Sequence, residues 1–127
     1  MLEPPECRQL LAIGASLHRV GHIAVCGTES PTLLPVDYAV DGGDVIIRVG
    51  DGLFGNIVGR VVAFAVDDEG AERPWSVLVR GLAQGVPWED APSRLPSPRT
   101  ARPGNRLVRI RGDVVTGRRL GARSTIR

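Results

Sequence analysis

Residues 33–49 read LLPVDYAVDGGDVIIRV. Two apolar, β-branched runs, 33–40 and 44–49, flank Asp41-Gly42-Gly43, residue types that tolerate the positive φ of a tight hairpin turn. Neither run has the i, i+3, i+4 spacing of an amphipathic helix, and both carry the side chains that suit a pleated surface. The stretch therefore predicts an antiparallel hairpin. Upstream, 22–26 is another such run, connected to the hairpin by Glu29-Ser30-Pro31, so the three strands should form a meander. Downstream, 61–66 and 75–86 are continuous apolar runs joined by the acidic loop 67–72 and read as core strands. Val108 and Ile110 alternate with Arg109 and Arg111 as a half-buried last strand. Six strands with short turns and little helix indicate a mostly β fold, a closed or partly open antiparallel barrel.

The rest of the chain decorates that sheet. Pro4 and Pro5 suit a helix start, and Cys7, Leu10 and Leu11 share one face, which predicts a short helix over 6–13 that Gly14 ends. A short apolar turn is expected at 53–58. Five prolines between 87 and 103 argue for an irregular surface excursion over 87–104, and 121–127 reads as a loose tail. With 127 residues, 43% of them apolar, the chain can bury one continuous core, so 1–127 is expected to be a single domain.

No apolar run approaches the roughly 18–20 residues that span a bilayer. The N-terminal MLEPPECRQLLAIG has two acids before its first Arg and lacks the basic and long apolar regions of a signal peptide, so a cytoplasmic location is expected. Cys7 and Cys26 are in no CxxC spacing and suit reduced, buried thiols. Net charge is only +2, but residues 1–86 hold six Arg against eleven acids, and residues 87–127 hold ten Arg against three. The few aromatics are not interleaved with those arginines as stacking platforms would be, which argues against nucleic acid as the partner. All sixteen basic residues are Arg, so no Lys serves as a base or Schiff-base nucleophile.

Gly50-Asp51-Gly52-Leu53-Phe54-Gly55 has the spacing of a dinucleotide fingerprint and follows a strand, with Asp67 seventeen residues beyond Gly50. Only 56–60 separate it from the next strand, whereas a parallel crossover needs about ten residues or more. What remains is a glycine loop whose backbone N–H groups can approach a phosphate, with Arg48 nearby to neutralise it. His18 and His22 lack a third ligand at metal spacing. Ser16, Ser76 and Ser93 lack a nucleophile elbow. Asp37 and Tyr38 follow Pro35 in a central strand, where an acid needs a partner. Trp75 and Ser76 open a strand after Pro74, a position where Trp is most often core or interface.

Taken together these residues resemble a family. Glu6-Cys7-x-x-Leu10-Leu11, Gly21-His22-Ile23-Ala24 and Leu34-Pro35-Val36-Asp37-Tyr38 look like the pyridoxamine 5'-phosphate oxidase-like, flavin-binding split-barrel proteins. Arg48 before the glycine loop, Val66-Asp67, Trp75-Ser76-Val77-Leu78-Val79-Arg80-Gly81, Val108-Arg109-Ile110 and Thr116-Gly117-Arg118-Arg119 continue the likeness in the same order. The resemblance implies a six-stranded Greek-key split barrel with one or two short helices, paired as a homodimer with flavin sites at the interface. It also implies FMN as cofactor and, for many members, oxidoreductase activity.

By position, Pro35, Val36, Asp37 and Tyr38 would lie along the isoalloxazine ring. Arg48 would hold the phosphate, with Val49, Gly50 and Gly52 beside it, and Trp75 and Ser76 would close the site. Two positions depart from the family pattern: Val49 replaces a threonine, and Phe54 replaces a phosphate-binding lysine. The first expectation is thus an FMN-dependent oxidoreductase acting on a small electron-poor molecule. The alternatives are a deazaflavin-dependent reductase and a non-catalytic, small-molecule-binding dimer that has lost the flavin.

Overall fold

The computed structural model describes residues 1–26, 31–93, 95 and 105–120. In chain order they form α1 (Pro4–Ser16), β1 (Gly21–Cys26), β2 (Pro31–Val36), β3 (Tyr38–Asp41), β4 (Asp44–Val49) and α2 (Asp51–Ile57). There follow β5 (Val61–Asp68), β6 (Trp75–Val86), a single 3₁₀ turn at Trp88–Asp90, β7 (Arg106–Ile110) and β8 (Val114–Arg119). The hairpin expected at 41–43 forms, with Gly42 at φ 64 and Tyr38 and Val40 opposite Ile47 and Val45. Arg109 ties the hairpin to β7 by reaching Asp41 at 2.8 Å and Asp44 at 3.0 Å.

The sheet runs in the order β2-β1-β5-β6-β7-β4-β3, all antiparallel. Its two ends, β2 and β3, are joined by the chain through Asp37 alone, so the sheet curls back on itself as a split barrel. The long β6 serves both halves: Trp75–Leu82 pairs with β5, and Ala83–Val86 pairs with β7. Inside lie Ile23, Phe64, Val66, Val77, Val79, Val45, Ile47, Val108 and Ile110, each buried. At about 25 cal/mol per Å² of apolar surface, this interior is the main favourable term in folding.

Several expectations change. The single strand 33–40 is two strands bent at Asp37, because its halves pair with different neighbours, β1 and β4. Among the described residues there are eight strands, not six: the bend adds one, and β8, alongside Trp75–Arg80 of β6, adds the other. The apolar turn at 53–58 is the helix α2. The turn 29–30, residue 94, the excursion beyond 95 and the tail 121–127 lie outside the described residues.

Gly14 does not end the first helix. α1 continues to Ser16 and stops where His18 adopts φ 56, with the His18 and Arg19 N–H groups donating to the Ala15 and Gly14 carbonyls. Gly14 is instead a point of close approach to the barrel: a Cβ there would lie 2.6 Å from Tyr38 Oη and 3.1 Å from the Trp75 ring.

Trp75, Val77 and Val79 are at most 2% exposed. They fill the core, whereas Leu78 between them is 39% exposed on the outer face. Among the described residues no helix is long and apolar enough to cross a membrane.

Candidate functional site

Strand alternation in β4 sends Val45, Ile47 and Val49 into the core and Ile46 and Arg48 to the outer face. Leu107 of β7 stands opposite Arg48. The Arg48 side chain is only 10% exposed, and its Nη1 lies 3.6 Å from Asp37 Oδ2, an ion pair too long to be a hydrogen bond. Its Nε and Nη1 are buried and have no hydrogen-bond partner among the described residues. Burial lowers the Arg48 pKa from its ordinary value and Asp37 opposes the shift; a guanidinium stays charged regardless. Buried N–H donors left unmatched cost about 1–3 kcal/mol each, which makes this an unusual cation to build into a fold unless an acceptor is to meet it.

The chain leaves β4 through Gly50 and enters α2. Neither a positive φ nor a close neighbour requires glycine at 50, 52 or 55, since a Cβ at any of the three would meet nothing within 4 Å. Their backbone is open to a ligand. Phe54 does not point into that space. Its ring packs toward Gly85 of β6 and carries the Arg106 guanidinium 3.8 Å from its centroid. Arg106 also meets Asp51 at 3.4 Å.

The remaining expected residues divide by side. Val36, Tyr38, Val49 and Trp75 are buried in the core, so only their backbones can face a ligand. The Tyr38 hydroxyl donates to the Leu11 carbonyl at 2.9 Å, its ring meets Phe64 edge-on at 5.0 Å, and burial raises its pKa. The Trp75 side chain lies against α1 at Gly14 and does not open toward the site. Pro35 is exposed, and half-buried Asp37 meets the buried Arg48, with Gly50 and Gly52 exposed just beyond it, so segments 35–37 and 48–52 supply one group.

Ser76 is not brought to that group within one chain. It sits on β6, three strands along the sheet from β2, or roughly 14 Å at the usual strand spacing. Sequence reasoning missed the Asp51–Arg106–Phe54 set, whose only signal was an Arg at the start of an alternating strand. It also missed a cleft of about 480 Å³ over Ala39, bounded by Ala12, Ala15, Ser16, His18 and Ser93.

The family model for pyridoxamine 5'-phosphate oxidase matches residues 3–119. The chain belongs to the pyridoxamine 5'-phosphate oxidase family. Among solved structures of this kind, the FAD-binding protein from Mycobacterium smegmatis is 30% identical, with a TM-score of 0.77 over 93% of this chain and 95% of that one. A conserved protein of unknown function from Corynebacterium diphtheriae is 25% identical, with a TM-score of 0.69 over 91% and 93%. A FAD-binding protein from Mesorhizobium loti shares the fold at 20% identity, with a TM-score of 0.66 over 94% and 96%. No curated protein matches the chain. Family membership bears out the split barrel read from the sequence, and leaves the chemistry to be argued from the Arg48 site.

Proposed function

We propose that this member of the pyridoxamine 5'-phosphate oxidase family binds a phosphorylated flavin, first of all FMN, and acts as a flavin-dependent oxidoreductase on a small electron-poor molecule. The observation that carries the reading is the Arg48 guanidinium, nine-tenths buried, with two N–H groups unmatched among the described residues and an open glycine backbone beside it. A phosphate ester supplies the charge and the acceptor oxygens such a group calls for. The name of the Mycobacterium smegmatis relative supports a flavin and brings in FAD. FMN, FAD and phosphorylated deazaflavins all carry a phosphate on the ribityl chain, so Arg48 would serve each.

In this reading Arg48 holds the phosphate and Gly50 and Gly52 let it approach the backbone. Asp37 keeps Arg48 in place, and the backbone of Pro35–Tyr38 runs along the ring. A bound flavin supplies hydride or electron transfer; the chain supplies orientation and a water-poor wall. The mostly apolar cleft over Ala39 has the size of a small-molecule pocket, and strand alternation puts Ala39 on the same outer face as Asp37 and Arg48.

A second copy of the chain would complete the site. On the outer face of the sheet, Ala24 lies opposite Leu33 and Ala63, and Leu78 opposite Ala65 and Thr116. Leu33 is 67% and Leu78 39% exposed, and with the three alanines they make a small and apolar patch, interrupted by His22 and Arg80, that suits burial in a homodimer. Ser76 lies on the same face and would then come from the second copy.

The position of Phe54 favours one other reading, a non-catalytic small-molecule-binding dimer without flavin, because its ring contributes no charge to a phosphate.

The deciding experiment is equilibrium titration of the purified protein with riboflavin, FMN, FAD and a phosphorylated deazaflavin, followed by turnover assays with a hydride donor and an electron-poor acceptor. At least one phosphorylated flavin should bind about tenfold or more tighter than riboflavin. Absence of flavin binding, or no preference for the phosphate, overturns the proposal; binding without turnover favours the non-catalytic reading.

A further inference from the structure

We infer that the cleft over Ala39 binds a flat, uncharged aromatic carbonyl compound, and that His18 selects it by donating a hydrogen bond to the carbonyl oxygen. The role of this compound as substrate rests on the oxidoreductase reading above; the site itself involves neither Arg48 nor the glycine loop.

The cleft owes its space to small side chains. β3 is the last strand of the sheet, and α1 packs beside it. Ala12 and Ala15 of α1, Ala39 and Val40 of β3, and Leu95 line a volume of about 480 Å³, within the range of small-molecule pockets. Three of these five are alanines, where larger side chains would fill the space. Apolar walls from two elements suit a flat ring.

The polar lining decides the charge of the ligand. Among the described residues no Arg, Asp or Glu lines the cleft, and its polar members are Ser16, Ser93 and His18. The Ser16 hydroxyl already donates to the Ile13 carbonyl at 2.8 Å, which leaves Ser93 and His18 as donors. An ion would lose hydration here without gaining a counter-charge, whereas a carbonyl oxygen needs only one N–H or O–H. A carbonyl on the ring also makes it electron-poor, as the reading above requires of the substrate.

His18 occupies a position whose backbone favours glycine. It follows the C-cap Leu17 with φ 56, where helices commonly end in glycine, and is the sole non-glycine with positive φ among the described residues. The turn is fixed on both sides of it. The His18 and Arg19 N–H groups donate to the Ala15 and Gly14 carbonyls at 3.0 and 2.9 Å. Arg19 Nε donates to Asp68 Oδ2 at 3.0 Å; Asp68 is 5% exposed, and its other oxygen accepts the Gly70 N–H at 3.1 Å. His18 is thus held at the cleft before a ligand arrives, which lowers the ordering cost of binding.

The competing account is that His18 merely terminates α1 above a surface crevice. The purified protein is titrated, with and without FMN, with 2-acetylnaphthalene, 2-ethylnaphthalene, 2-naphthoate and 2-naphthylmethylammonium at about pH 8, where the last two are ionised. The ketone should bind about five- to tenfold tighter than the ethyl compound, and both ions more weakly than the ketone. His18→Gly should abolish the preference for ketone over ethyl compound yet melt at or above the parent temperature, because glycine relieves the left-handed backbone. His18→Asn tolerates the same backbone and keeps a donor, so it should recover most of the preference. Ala12→Leu, at an exposed helical position, should weaken the ketone and the ethyl compound together by filling the cleft.

The proposal fails if the ketone does not bind, if an ion binds as tightly, or if Ala12→Leu leaves the ketone unaffected. It fails equally if His18→Gly keeps the preference or melts below the parent, or if His18→Asn recovers nothing. A protein that binds the ketone through His18 but no flavin keeps this site and overturns the oxidoreductase reading; one that binds flavin but no ketone does the reverse.

Discussion

Replacing Arg48 by methionine separates what the guanidinium does for a ligand from what it costs the fold. Methionine is of similar length and adapts to irregular space, so the change removes charge and donors with little change of volume. In the ligand-free protein it eliminates two buried N–H groups that have no partner among the described residues, each worth about 1–3 kcal/mol of destabilisation. Against this stands the lost attraction to Asp37 across 3.6 Å. The Asp37 side chain is 28% exposed and can turn to water, which limits that loss to about 1 kcal/mol.

The fold should therefore gain about 1–5 kcal/mol, with Tm rising by about 3–5 °C per kcal/mol for a chain of this length. The same substitution should weaken FMN by about ten- to a hundredfold and abolish the upward shift in Tm that excess FMN confers on the parent. Scanning calorimetry of both proteins with and without FMN, alongside titration, reads both quantities. If Arg48→Met melts below the parent without ligand, Arg48 is a structural ion-pair partner. If the variant keeps its FMN affinity, the phosphate lies elsewhere.

Gly14→Ala should destabilise the protein by about 1–2 kcal/mol in urea, because overpacking against Tyr38 and Trp75 outweighs the gain of roughly 1 kcal/mol in helix propensity; a more stable variant would mean a looser helix–barrel contact. Burial raises the Tyr38 pKa, so its contribution is present below the unfolded value near 10 and is lost as pH rises beyond it. Tyr38→Phe should lose about 1 kcal/mol at neutral pH with its bond to Leu11, yet show a flatter alkaline decline in melts between about pH 8 and 11; parallel profiles would refute this. Leu78→Glu on the outer face should convert a dimer to a folded monomer in sedimentation, and an unchanged mass would move the interface off this face.

The strands at 44–49, 61–66 and 75–86 were legible because alternation and β-branched content are properties of neighbouring residues. So was the turn at 41–43, where Gly42 takes the positive φ its residue type allows. β8 was not legible: its inward residues are Val115 and Gly117, and a side chain at Gly117 is excluded because its Cβ would come within 2.9 Å of Cys7 Sγ, from α1, and of the Ser76 carbonyl oxygen. The bend at Asp37 was hidden for the same reason, since only closure of the sheet assigns the two halves of one apolar run to different partners.

At the site, the order of residues marked Arg48 as a cation ahead of an open glycine loop, and the family likeness marked Phe54 as a missing charge. Sequence could not say that Arg48 would be buried with donors unmatched, that Trp75 would lie under α1, or that Arg106 would settle on Phe54. Local pattern sets which way each side chain points along its own strand. Burial, and therefore charge balance and the need for a ligand, depends on strands that arrive from far along the chain, and only the closed barrel decides it.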